Sequence, residues 1–108
     1  APPASEIEHR GGYVVYIKER LRPIVPVFTR TAGQGLSEMR QRLSAGDMEG
    51  VRRGGHSLKG SAATMGFAAL EIMGRDIEKA AHEGDGKVVA ALLDELESYL
   101  DGFEVRYR

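Results

Sequence analysis

In residues 52 to 67, RRGGHSLKGSAATMGF, three cations and the glycines at 54, 55 and 60 crowd one histidine, His56. Imidazole is the side chain whose unperturbed pKa, about 6.5, leaves much of it neutral and nucleophilic near neutral pH. Arg52, Arg53 and Lys59 would offset the charge of an anionic group carried on such a ring. Gly54, Gly55 and Gly60 each disfavour a helix interior by roughly 0.8–1 kcal/mol relative to alanine. Their crowding has a physical use if something must come very close to His56.

Hydrophobic periodicity puts this stretch on a helix. With Val51 at the centre of the buried stripe and ~100° per residue, Gly55, Leu58 and Ala62 fall within ~40° of it and His56 lies ~140° away. The histidine therefore faces solvent, with Arg52, Arg53, Lys59 and Gly60 one turn above or below it. Gly60 leaves bare backbone on that exposed side. Gly55 points inward, where a missing side chain lets two helices approach. Gly54 sits on the far flank, and nothing in the sequence accounts for it.

The elements that must position this turn can be read from the same rhythm. Phe28, Ala32, Leu36, Met39 and Leu43 form one amphipathic stripe ending at Ser44-Ala45-Gly46. Asp47 is a good N-cap for the His56 helix, whose stripe runs Met48, Val51, Gly55, Leu58, Ala62, Met65 and stops at Gly66. Leu70, Met73, Ile77 and Ala80 or Ala81 make a third stripe ending at Gly84. Asp85 caps a fourth, with Val88 or Val89, Leu92, Leu96, Tyr99 or Leu100 and Phe103 inward. Pro23 and Pro26 fit a short helical turn followed by a new helix start. Four similar helices with short loops predict an all-α, up-and-down antiparallel four-helix bundle with a short extra N-terminal helical segment. Residues 1–12 read as a flexible lead-in and 13–108 as the bundle domain. YVVYI (13–17) reads as a strand or an apolar approach to a helix, and FEVRY (103–107) could pair with it as a two-stranded clasp.

Composition narrows the function classes. The chain has 108 residues, 42% hydrophobic and 29% charged, enough for one core and one domain. With 15 basic and 16 acidic residues the formal net charge is −1, which argues against a general binder of nucleic acid or anionic membrane. The absence of cysteine excludes a disulfide scaffold, a thiol nucleophile and a cysteine zinc site. The longest purely apolar run, VVAALL at 88–93, is far short of a membrane span, and the start APPASEIEHRGG does not read as a secretory signal, so a cytoplasmic location is expected.

The run His56-Ser57-Leu58-Lys59-Gly60-Ser61-Ala62-Ala63-Thr64-Met65-Gly66-Phe67 resembles the histidine-containing phosphotransfer (HPt) domain of two-component phosphorelays. The family signature looks like H-x-L-K-G, then small residues, then glycine and an apolar residue. Its second half, LE.AA..GD, is matched by Ile77-Glu78-Lys79-Ala80-Ala81-His82-Glu83-Gly84-Asp85, with isoleucine in the usual leucine place. Gly46-Asp47 matches the GD that precedes the histidine helix. The resemblance is specific over 46–85 and looser from about 20 to 103. One departure is Gly54-Gly55, where many members carry alanine before the histidine.

The resemblance implies a helical bundle that carries a phosphoryl group and binds no ATP. His56 would be the phosphoacceptor, through Nε2, Lys59 would steady the phosphoryl oxygens, and Gly60 would give a partner's loop access to the ring. The phosphoryl group would come from a receiver aspartyl phosphate and pass to another receiver aspartate. The expected partners are response-regulator receiver domains or a hybrid histidine kinase, with neither nucleic acid nor membrane, and the chain is expected to act as a monomer. No cofactor of its own is implied, since Mg²⁺ belongs to the receiver. Arg52, Arg53 and Arg75 could shape partner choice through charge.

Other readings compete. A Walker A loop needs G-x-x-x-x-G-K-[ST] after a strand, and here the order is Lys-Gly-Ser after DMEGVRR. Glu78 and His82, one turn apart, could hold a metal, although a single such pair arises freely by chance. A kinase dimerisation domain also uses a helical histidine but needs an attached ATP-binding domain. The main alternative is a helical-bundle interaction module in which His56 carries nothing and the surface binds receiver domains or kinases. Met39, Met48, Met65 and Met73 lie on or near the apolar stripes and read as core filler.

Overall fold

The computed structural model describes residues 6–9 and 12–108, with side chains from Tyr13 onward. Two strands, β1 (Glu6–His9) and β2 (Gly12–Ile17), lead through a 3₁₀ segment (Glu19–Ile24) into four helices. These are α1 (Val25–Ser44), α2 (Met48–Met65), α3 (Ala68–His82) and α4 (Gly86–Gly102), followed by β3 (Phe103–Tyr107). Each helix packs on the next and α4 returns to α1, closing the four-helix bundle.

The helix ends follow local chemistry. Pro23 lies in the 3₁₀ segment and Pro26 in the first turn of α1, where a missing N–H breaks no bond. The Asp47 carboxylate accepts from Gly50 N at 2.9 Å and caps α2; Asp85 accepts from Val88 N at 3.2 Å and caps α4. Gly66 ends α2 at φ 89°, in the left-handed region that glycine enters without steric cost. Glu71 N and Val89 N donate to the carbonyls of Phe67 and Asp85, starting α3 and α4.

The clasp across the bundle end is larger than two strands. The sheet order is β1-β2-β3, with β1 antiparallel to β2 and β2 parallel to β3, from Tyr13↔Phe103 to Ile17↔Tyr107. Four helices return the chain to the end where it entered, so β2 and β3 meet there. A parallel pair needs a long crossover, and the bundle itself is that crossover. Glu6–His9 and Gly12 are thus strand residues within the stretch read as a flexible lead-in; residues 1–5, 10 and 11 of it lie outside the described residues.

One core joins sheet and bundle. Val15, Ile17, Val51, Phe67, Leu70, Ile77, Val89, Leu93, Leu96 and Tyr99 are at most 1% exposed. Aromatic contacts run across the join. Phe28 stacks on Phe67 at 4.8 Å, Phe67 meets Phe103 edge-on at 5.8 Å, and Tyr99 lies 5.6 Å from Phe103 and 4.7 Å from Tyr13. Such pairs add about 0.5–1.5 kcal/mol each beyond their buried area. At the surface Arg40 binds Asp94 and Glu97 at 3.0 and 2.9 Å, tying α1 to α4. Among the described residues no helix is long and apolar enough to cross a membrane.

Candidate functional site

The glycines around His56 serve three different neighbours. A Cβ on Gly55 would stand 2.8 Å from the backbone nitrogen of Glu78 and 2.9 Å from the carbonyl oxygen of Gly74. A Cβ on Gly74 would stand 2.6 Å from the backbone nitrogen of Lys59. Helices α2 and α3 therefore touch backbone to backbone, which only paired glycines allow. Gly54, unexplained by the sequence, faces α1: a Cβ there would fall 2.6 Å from Met39 Cγ. Gly60 differs from both, because a Cβ there would meet nothing within 4 Å. It is a bare patch on the open surface beside His56.

The close crossing of α2 and α3 puts Glu78 opposite His56. The ring is 65% exposed, and its Nδ1 lies 2.9 Å from Glu78 Oε2. A carboxylate can only accept, so the neutral ring donates from Nδ1 and Nε2 keeps its lone pair. Lys59 Nζ donates to the other oxygen, Oε1, at 2.8 Å. The Lys59 ammonium, with His56 adding to it, holds the Glu78 carboxyl below the usual carboxylate range. Glu78 thus bridges the exposed imidazole of α2 and the Lys59 ammonium one turn further along the same helix.

The cations read from the sequence are not equivalent in space. Lys59 is beside the ring but engaged by Glu78. Arg52 is clasped by Glu49 through two hydrogen bonds of 2.8 and 2.6 Å and lies 3.8 Å from Glu78. Arg53 is 60% exposed and only 3.7 Å from Glu49. Arg75 is 64% exposed, with Asp76 3.9 Å away. Of these three arginines, Arg53 on α2 and Arg75 on α3 are therefore the ones with guanidinium surface to offer.

Glu78 is the site residue that sequence reasoning left out, having been weighed only as half of a metal pair with His82. Its two oxygens are instead committed to His56 and Lys59. Among the described residues no group of three or more His, Asp or Glu side chains could hold a metal ion. The signal that could have found Glu78 was its place in the second half of the family signature. The stretch 52–67 is continuous helix up to Met65, so GGHSLKGS forms no phosphate-cradling loop. Along the other flank of α2 runs a cleft of about 370 Å³ against α1, lined by Phe28, Met39, Arg53, Gly54, Ser57 and Leu58 among others.

The four-helix bundle thus presents one exposed imidazole, anchored at Nδ1 by Glu78, beside the open surface at Gly60. The chain belongs to the Hpt domain family, whose model matches residues 23–104. The match begins in the 3₁₀ segment and ends early in β3, so β1 and β2 lie outside it. Membership makes this a module of histidine phosphotransfer, a phosphocarrier and not a kinase. Comparisons with curated proteins and with solved structures give no match.

Proposed function

We propose that His56 accepts a phosphoryl group on Nε2 from the aspartyl phosphate of a receiver domain and returns it to the aspartate of another. The observation that carries this reading is the hydrogen bond from Nδ1 to Glu78, which leaves Nε2 as the one nucleophilic nitrogen of an exposed, rigidly held ring. Transfer through a loose transition state needs in-line placement and charge stabilisation more than covalent help. The bundle supplies placement, Lys59 is within reach of the phosphoryl oxygens, and the receiver supplies Mg²⁺ and the carboxylate.

Docking uses the open surface at Gly60 and the α1–α2 cleft beside it. Ile24, at the end of the 3₁₀ segment, and Val27, in the first turn of α1, are each 48% exposed and offer further apolar contact. The exposed guanidinium groups of Arg53, in the cleft lining, and Arg75, on α3, suit an acidic partner and act mainly on encounter rate. The deciding experiment is phosphoryl uptake from a panel of radiolabelled phospho-receivers by the parent protein and by His56→Gln. Label on the parent alone, lost in acid and stable in alkali, is the expected result. Equal label on both proteins, or receiver binding without any label, would replace this reading with that of an interaction module.

A further inference from the structure

Strand β3 forms one side of the sheet, and its outer edge is open. The order β1-β2-β3 gives β2 a neighbour on both sides, whereas among the described residues β3 has a neighbour on one side only. Two backbone bonds fix which of its groups face β2. Arg108 N donates to Ile17 O at 3.0 Å, and Glu19 N donates to Arg108 O at 2.9 Å. Backbone direction alternates along a strand, so Glu104 and Arg106 also turn their N–H and C=O toward β2. Those of Val105 and Tyr107, with the carbonyl of Phe103, point the other way, off the sheet. An edge of this kind is a template for one more strand.

The sequence of β3 is complementary to itself. In FEVRY, Val105 is central, Glu104 and Arg106 flank it, and Phe103 and Tyr107 lie outside. When a second copy runs antiparallel with Val105 opposite Val105, Glu104 of each chain faces Arg106 of the other, and Phe103 faces Tyr107. The outward backbone groups then meet in register. Each Val105 N–H donates to the opposite Val105 carbonyl, and each Tyr107 N–H to the opposite Phe103 carbonyl. Positions 104 and 106 fall at the non-hydrogen-bonded pairs, where side chains of opposed strands stand closest. Within one chain those two charged side chains are each 57% exposed and 3.4 Å apart, so neither has a buried commitment to give up. On the other face Phe103, Val105 and Tyr107 are only partly buried against the core, while Val15 and Ile17 of β2 are at most 1% exposed. A further strand would cover what β3 leaves open there.

We propose that β3 is a self-association edge. Two copies of this chain pair antiparallel along Phe103–Tyr107 about a two-fold axis at Val105, joining their three-stranded sheets into one continuous sheet. The partner is a second copy, in place of the monomer expected from the family resemblance, because a two-fold axis sets each Glu104 against an Arg106 and repeats the pair. Strand β3 has neither a proline nor a bulge to keep such a partner off, since its register with β2 runs unbroken from Phe103 to Tyr107. A few backbone bonds and the paired charges make a small, reversible interface rather than an obligate one. No residue of the His56 site takes part, and the family match ends at residue 104, so this proposal is independent of the phosphocarrier reading.

The test is sedimentation of the full chain from about 10 μM to about 1 mM, the range in which a small interface forms and dissolves. The parent should move from one chain toward two across that range. Arg106→Glu and Glu104→Arg each set like charges opposite one another at both symmetry-related pairs, and each should weaken association by about tenfold or more. Mixed in equal amounts, the two variants should associate again, because every cross-strand pair is then of opposite sign. Both positions are exposed, so circular dichroism should show the parent and both variants equally folded. Amide exchange followed by NMR locates the contact. The N–H groups of Val105 and Tyr107 should exchange more slowly as concentration rises, while those of Glu104 and Arg106, which face β2, should not change. A parent that stays a single chain at about 1 mM overturns the proposal. So does association that ignores both charge reversals, that the mixture fails to restore, or that leaves the Val105 N–H unprotected.

Discussion

Alanine at Gly55 and alanine at Gly60 make the same covalent change on the same helix, and the structure gives them opposite outcomes. Both variants gain the helix preference of alanine over glycine, roughly 0.8–1 kcal/mol. At Gly60 nothing opposes that gain, since the added methyl meets no atom within 4 Å. At Gly55 the methyl would stand 2.8 Å from one backbone atom of α3 and 2.9 Å from another, with Ile77 Cγ2 at 3.1 Å. Backbone cannot rotate away as a side chain can, so α2 and α3 must part by roughly half an ångström, at an overpacking cost of about 1–3 kcal/mol. The preference term cancels between the two variants, and the difference in stability, about 1–3 kcal/mol, isolates the interhelix clash. Urea denaturation followed by circular dichroism reads that difference directly, and thermal midpoints should separate by several degrees for a domain of this size. Gly55→Ala should also weaken the His56–Glu78 hydrogen bond, because the displaced backbone atom belongs to Glu78 itself. Equal stabilities for the two variants would refute the claim that paired glycines hold α2 and α3 in backbone contact.

Further outcomes follow from the same geometry. Gly54→Ala should fall between these two variants in stability, since the group it meets is the flexible Met39 side chain rather than backbone; the same urea titration ranks all three. Asp47→Ala removes the α2 cap and the Arg42 pair, and should cost about 1 kcal/mol by thermal denaturation. Glu78 and Glu49 are held below the ordinary carboxylate value of 4.5, Glu78 first by Lys59 and Glu49 first by Arg52. Below that value the unfolded chain binds more protons than the folded one, so the stability these pairs add is present above about pH 4.5 and is lost as pH falls through their lowered folded values. Urea midpoints should hold steady from about pH 7 to pH 5 and decline below pH 4.5, and a midpoint that rises on acidification would contradict the pairing. Arg53→Glu and Arg75→Glu should slow transfer from a phospho-receiver and flatten its salt dependence without changing the fold, as stopped mixing at two ionic strengths would show.

Much of this protein follows from short-range rules. Helix rhythm, the caps Asp47 and Asp85, and the stops at Gly46, Gly66 and Gly84 are local chemistry, and a single turn angle sends His56 to solvent. The open surface at Gly60 was legible for the same reason. What lay beyond the sequence was how the helices meet. Glu78 is 22 residues from His56, and their contact exists only because Gly55 and Gly74 let α2 and α3 cross at backbone distance. Gly54 made sense only once Met39 of α1 was seen against it. Ion pairing, too, was decided in three dimensions: it left Arg53 and Arg75 available and committed Lys59 and Arg52 to carboxylates. The sheet is the clearest case, since β2 and β3 are separated by the whole bundle and pair only where α4 returns. Local propensity sets which segments are helices, but side chains far apart in the chain become a site through packing, whose energy depends on shape that no single segment contains.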